Sequence, residues 1–281
     1  MSSQAAVLAA ARRPSLARSL ARGMARIAPL VALAALVGLW ELLVRTLDVK
    51  EFVLPPPSAI ASEIGAEHRA LLDATWVTLG EVLLGFVLSI AVALPLAVAI
   101  VYSPFLRNVL YPLVVALQAV PRVAIAPLMV LWFGFGTLPK VLIAFSIAFF
   151  PLVVNAVIGL QSVEREILYV VRSMGASPLQ VFVKARFPNA LPTIFGGLKV
   201  AIALSVIGAI VGEFVGAKAG LGYMVDVAQG NLNTRLIFAS IVLMAAMGVV
   251  LFYAAELVER ISVRWYFATR QEAKDDGAAG V

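Results

Sequence analysis

The stretch that decides the fold is residues 164–192, EREILYVVRSMGASPLQVFVKARFPNALP, the longest polar interruption in a sequence that is otherwise almost all apolar. Within it Ile167, Val170, Val171 and Met174 stand at i, i+3, i+4 and i+7, one face of an α-helix. Gly175 then falls where a helix-ending residue in the left-handed conformation is wanted. Ser177 and Pro178 follow as N-cap and first helical position, so a second short helix is expected to start there. Pro188 and Pro192 are expected to close it before the next apolar run. Two short helices at an elbow, with Arg165, Arg172, Lys184 and Arg186 around them, predict a compact surface element. A plain amphipathic helix lying in the lipid interface is the other reading of the same residues.

Outward from this loop the chain is 281 residues long, 62% hydrophobic and only 14% charged, which excludes an ordinary soluble domain. Six apolar runs, at about 28–46, 78–102, 109–134, 139–160, 194–216 and 236–258, each approach the ~20 residues a spanning helix needs. Pro112, Pro121 and Pro127 interrupt the third, so a kink or a half-helix break is expected there. No series of alternating ten-residue segments argues for a barrel. The fold class expected is an all-α membrane protein with six transmembrane helices, in three parts. These are a tail at 1–26, a membrane-spanning domain at 27–266 whose polar loop spans 161–193, and a polar tail at 267–281.

Basic residues orient it. Arg12, Arg13, Arg18, Arg22, Arg26, Arg107, the four of the central loop, Arg260, Arg264, Arg270 and Lys274 fall on one side if the span number is even. The other side holds Lys50, Arg69, Lys140, Lys218 and Arg235. That bias puts both termini and the 161–193 loop in the cytoplasm. The formal charge of +6 reads as this retention rather than as nucleic-acid binding, and no nucleic-acid partner is expected. On the outer side, FVLPPPSAI at 52–60 gives a stiff extended stretch, with Ser58 placed to cap a short helix and His68 a solvated residue.

No catalytic constellation is present. There is no cysteine and a single histidine, which leaves no thiolate metal site and no Cys–His nucleophile; no metal and no cofactor are expected. A phosphate-cradling loop needs glycine immediately before lysine, and none of Lys50, Lys140, Lys184, Lys199, Lys218 or Lys274 has one. The chain is therefore read as no enzyme, with energy supplied by a partner or a gradient. Charges and amides inside the spans are the functional candidates, because they are costly in lipid. Gln118, Arg122, Asn155 and Glu213 are candidates for a translocation pathway. Each has a structural alternative: a buried ion pair or a carbonyl-bonded guanidinium for Arg122, a bond to a neighbouring helix for Gln118 and Asn155, and for Glu213 bonds to backbone amides near the Gly216–Gly222 turn. Glu41 and Arg45 read as a local i, i+4 pair. Gly196, Gly197, Gly208, Gly212 and Gly216 give small-residue spacing that lets helices approach closely, either as plain packing or as a contact between two copies of the chain.

The 164–192 loop resembles the EAA loop of ABC-importer permeases, whose pattern E-A-A-x3-G-x9-I-x-L-P registers on Gly175 and Pro188. The E-A-A positions hold Tyr169, Val170 and Val171 here, and the I and L positions hold Ala185 and Phe187. VPRVAIAPLMVLWFGFGTLPK at 120–140 and GEFVGAKAGLGYM at 212–224 are similar to the nitrate/sulfonate/taurine-type permeases and their relatives for riboflavin, pyrimidine precursors and aromatic acids. Glu81 departs from that pattern, where relatives usually carry a basic residue. The resemblance, from about Leu54 to Trp265, implies a type I ABC importer permease (MetI-like) fold with a cytoplasmic coupling-helix loop. It implies two ATP-binding subunits, a second permease subunit as a homodimer, and an extracytoplasmic solute-binding protein that delivers a small solute. Docking on the ATPase would fall to Tyr169, Gly175, Ala176, Ser177, Pro178, Leu179, Phe182, Arg186 and Pro188. An ion-coupled secondary transporter is the rival from another class; it calls for inverted repeats and paired intramembrane carboxylates.

Overall fold

The structure, a computed structural model, describes residues 16–264. The expected tail at 267–281 and the first fifteen residues of the tail at 1–26 lie outside them. Among the described residues the chain is helical throughout, without strands. Helix α1 (Leu16–Thr46) covers the first expected span and leads through an extended segment to the short α2 (Pro57–Ala66). Helix α3 (His68–Tyr102) and α4 (Pro104–Leu117) follow, then a 3-10 turn (Arg122–Ile125) and α5 (Ala126–Phe133). Next come α6 (Thr137–Gln161), α7 (Arg165–Ser173) and a first turn α8 (Pro178–Val181). A π turn (Phe182–Arg186) joins α8 to α9 (Phe187–Gly216); α10 (Leu221–Gly230) and α11 (Thr234–Ser262) end the fold.

Four of these helices, α3, α6, the continuous 178–216 helix and α11, are long and apolar enough to cross a membrane. The expected third span is a bent pair: α4 and the segment from Arg122 to Phe133 meet at 86°. The break falls at Gln118–Pro121, where Pro121 lacks the N–H that a continuing helix needs and takes an extended ψ of 98°. Pro112, by contrast, is carried inside α4. If the pair counts as one span, it is the fifth.

The bundle is built around α6, which packs along both α3 and α9. Small residues permit this. A Cβ on Gly208 would stand 2.6 Å from the Ala144 Cα, and one on Gly212 2.9 Å from the Lys140 Cα, so only glycine lets α9 lie this close to α6. Gly85 makes the same approach to Ala144 from α3. The glycine spacing on α9 is thus in part an intrachain packing face, although Gly196 has open space beside it. The main core cluster gathers Ala93, Ala97 and Ile100 of α3 with Leu152, Val153 and Ala156 of α6 and Ala190, Ile194 and Ala201 of α9.

At the opposite end of the bundle from the α6–α9 connection, Ser58 does not cap α2. Pro56 holds the N-cap position, and the Ser58 N–H and Oγ both donate to the Glu41 carboxylate, at 3.0 and 2.8 Å. Glu41, which also binds Arg45 at 2.6 Å, therefore supplies the anion at the N-terminus of α2 and ties that helix to α1. His68 begins α3 and is exposed, with Nδ1 2.9 Å from the Gly65 carbonyl.

Candidate functional site

The elbow between α7 and α8 is built from local signals. Gly175 has φ +78°, with the Gly175 N–H on the Arg172 carbonyl at 2.9 Å and the Ala176 N–H on the Val171 carbonyl at 3.3 Å. These are the paired bonds of a Schellman helix end. A side chain at 175 would meet nothing within 4 Å, so the backbone conformation alone asks for glycine. Ser177 then starts the next turn. Its Oγ accepts from the Gln180 N–H at 3.3 Å, the Gln180 Oε1 accepts from the Ser177 N–H at 2.8 Å, and Pro178 occupies the first helical position. That is a capping box.

Pro188 and Pro192 do not close this second helix. It runs from Pro178 to Gly216 without interruption, 39 residues, as the first turns of the expected fifth span. An α-helical ladder would set the Pro188 ring against the Lys184 carbonyl. The π turn avoids that by widening the helix immediately before the proline, with the Phe187 N–H bonded to the Phe182 carbonyl. The structure therefore shortens the loop: the two helical axes meet at Gly175–Ser177, and everything after Pro178 belongs to the spanning helix.

The residues expected to face a partner separate into two groups. Leu179 and Tyr169 are 70% and 66% exposed; Ile167 and Val170 on the apolar face of α7, and Met174 at its end, are exposed too, while Ser177 and Pro178 stand at the exposed tip. Phe182 and Arg186 turn inward instead. The Phe182 ring packs 6.1 Å from Tyr102 and 5.7 Å from Phe187, and Arg186 donates to the Leu160 carbonyl at 2.8 Å. Ala176 and Pro188 are half-buried.

Inside the bundle, Glu213 has partners that account for its charge. Thr78 on α3 donates to its Oε1 at 2.6 Å, the Leu221 N–H donates to Thr78 Oγ1 at 2.8 Å, and the Gly222 N–H donates to Glu213 Oε2. One carboxylate thus caps the N-terminus of α10 and joins it to α3 and α9. The contact is close: a Cβ on Gly220 (φ +117°) or Gly222 would run into this carboxylate. Glu81 and Lys140, both almost fully buried, form an ion pair between α3 and α6. The sequence reading placed Lys140 among the outer-side residues and left Glu81 without a partner. Two lone charges at the same ends of adjacent spans were the available signal. Lys199 and Glu259 make a second interhelical pair, at 2.6 Å between α9 and α11.

Arg122 sits at the start of the 3-10 turn, its guanidinium 4.7 Å from the centre of the Phe150 ring, with one buried terminal nitrogen (Nη2) that has no hydrogen-bond partner. Gln118 is exposed at the break in the bent pair. Asn155 donates to the Pro151 carbonyl at 2.8 Å and lies against Gly197, on the α6–α9 seam. The structure thus places Arg122 and Gln118 together on the broken element, and Asn155 and Glu213 in helix packing.

Residues 81–266 match the family described as the binding-protein-dependent transport system inner membrane component. The chain is 37% identical over 237 residues to the riboflavin transport system permease protein of Chloroflexus aurantiacus, covering 84% of this chain and 88% of that one. It is 32% identical to the formylaminopyrimidine transport permease protein of Halalkalibacterium halodurans, over 84% and 95% of the two chains. Against the taurine transport system permease protein of Escherichia coli the identity is 29%, over 83% and 88%. Among solved structures, the MetNI methionine ABC transporter in an inward-facing conformation superposes with TM-score 0.59 at 21% identity, over 71% of this chain and 97% of that one. That likeness gives the fold, which is MetI-like. With a family model covering most of the chain, and the elbow, the bent span and the α3–α6–α9 bundle in place, the chain belongs to the binding-protein-dependent transport inner membrane components, the multi-pass permease subunits of ABC importers.

Proposed function

We propose that two copies of this chain form one pathway across the membrane, with six spans each and both termini cytoplasmic. Two separate ATP-binding subunits dock on the Schellman elbow, and an extracytoplasmic binding protein delivers the solute. The observation that carries this reading is the elbow with its outward apolar residues: Ile167, Val170, Met174 and Leu179 are exposed on a rigidly capped turn, whereas a loop with no partner has no use for them. ATP-driven movement of the docked subunits would be transmitted through Pro178 directly into α9, because the helix is continuous from there to Gly216. The bundles would then rock as rigid bodies between inward- and outward-open states. Gln118 and Arg122, at the break in the bent span, are assigned to the pathway. For the solute, the similarity to riboflavin and formylaminopyrimidine permeases favours a small heteroaromatic molecule over a sulfonate. The Arg122 guanidinium stands 4.7 Å from the centre of the Phe150 ring, a cation–π contact beside the proposed pathway.

Gly175→Val tests the docking role. A β-branched side chain in the left-handed conformation costs at least the roughly 1–2 kcal/mol of an ordinary L-residue, so the elbow re-aims. Co-purification of the ATPase subunit and coupled uptake should fall together while membrane insertion is kept, and Ala176→Val serves as the control for added bulk. Normal ATPase retention and normal uptake by Gly175→Val would return the loop to an interfacial helix.

A further inference from the structure

The face of α7 opposite its exposed apolar side carries Arg165, Leu168, Tyr169 and Arg172 at i, i+3, i+4 and i+7. It lines a cavity of about 350 Å³ whose other walls include Arg107, Gln161 and Arg186, and no carboxylate lines it. A second cavity of about 260 Å³, beside Tyr102 and Pro178, shares Arg172 and Arg186. Among the described residues none of the four arginines forms an ion pair. Arg107 donates to the Val101 carbonyl at 2.7 Å and Arg186 to the Leu160 carbonyl at 2.8 Å. Those bonds pin two guanidiniums at the ends of α3 and α6 while their other N–H groups remain available. Arg165 and Arg172 make no side-chain hydrogen bond to a described residue.

Four like charges around one cavity repel each other, and no carboxylate among the described residues lines it. Guanidinium forks match phosphate oxygens two at a time, which lysines do not. The cavity lies where the spanning helices end, the level at which lipid headgroups stand, and basic pockets between helix ends are the sites that anionic headgroups take. Ile167, Val170 and Met174, proposed for ATPase docking, fall on the opposite face of α7 by their spacing, while Tyr169 borders the cavity. We propose that Arg107, Arg165, Arg172 and Arg186 bind a phosphate group, that of an anionic phospholipid, and that the bound headgroup fixes α7 against the ends of the spans.

The test uses the full-length chain in nanodiscs of phosphatidylcholine doped with labelled phosphatidylglycerol. Saturable binding of phosphatidylglycerol is expected. Arg165→Gln/Arg172→Gln should weaken it roughly 25-fold, each arginine counting for about fivefold. Lys184→Gln, an exposed cation of the same segment outside the cavity, should leave it unchanged. Thermal unfolding checks that the double variant folds; if it does not, Arg172→Gln alone is read against the fivefold loss. In a second arm, inorganic phosphate is added to nanodiscs of phosphatidylcholine alone. Stabilisation by phosphate that disappears in the double variant identifies free phosphate as the source, and stabilisation by phosphatidylglycerol only identifies the lipid. Equal phosphatidylglycerol binding by the wild type and the double variant, with no effect of phosphate, overturns the proposal. Displacement of phosphatidylglycerol by the ATPase subunit also overturns it, in favour of an acidic surface of that partner.

Discussion

Single residues inside this bundle are held to strict partner rules, because a charge in an apolar interior without one is costly. Glu81 and Lys140 are the clearest case. Removing one member leaves the other buried and uncompensated, a loss of about 3–5 kcal/mol, whereas replacing both with apolar residues of similar size is close to neutral. Glu81→Gln should therefore lower the thermal unfolding midpoint of the purified chain sharply, and Glu81→Leu/Lys140→Met should recover most of the loss. If the double variant is as unstable as the single one, the pair has a role beyond mutual compensation. Arg122 gives the opposite expectation. Its guanidinium rests on Phe150 and keeps a buried nitrogen without a partner, so Arg122→Gln should cut uptake several-fold with little change in stability. A variant that fails to assemble instead would make Arg122 a helix-packing residue.

Whole elements are where sequence and structure part company, and the reasons are physical. Gly175, Ser177 and Pro178 were legible because a Schellman end and an N-cap depend on neighbours within a few residues. Gln180 completes the capping box at a spacing the sequence also displays. Ser177→Ala removes one side of that box and should cost about 1 kcal/mol, read as faster backbone hydrogen exchange at Leu179 and Gln180. Unchanged exchange there would mean the span, not the cap, holds the turn. Pro188 and Pro192 do not end the helix because a proline can be accommodated by a local change of hydrogen-bond register, as in the π turn at Phe182–Arg186, where Phe182 packs against Tyr102. Ser58 was misread for a similar reason: its hydroxyl serves Glu41, 17 residues away, rather than its own helix. The Glu81–Lys140 pair required knowing that α3 and α6 lie side by side, which composition and periodicity do not state. The glycines show the same division. Their spacing was plain, but that Gly208 and Gly212 meet Ala144 and Lys140 within the chain is a tertiary fact.

At the scale of the molecule, the parts converge on a lever. A capped elbow carries exposed apolar residues, a helix runs from its tip through the membrane to Gly216, and at that far end Glu213 couples α9 to α3 and α10. On the proposed mechanism, displacement of the elbow would be passed along this continuous helix to the opposite side of the bundle. On the proposed reading the motor is a separate ATP-binding subunit; a gradient-driven transporter would need none. The direct measurement is uptake into proteoliposomes, first with this chain alone and then with its ATP-binding subunit and solute-binding protein added. The chain alone should neither hydrolyse ATP nor accumulate solute under any ion gradient, and ATP-dependent uptake should appear only with both partners present. Accumulation by the chain alone, driven by a proton or sodium gradient, would contradict the account.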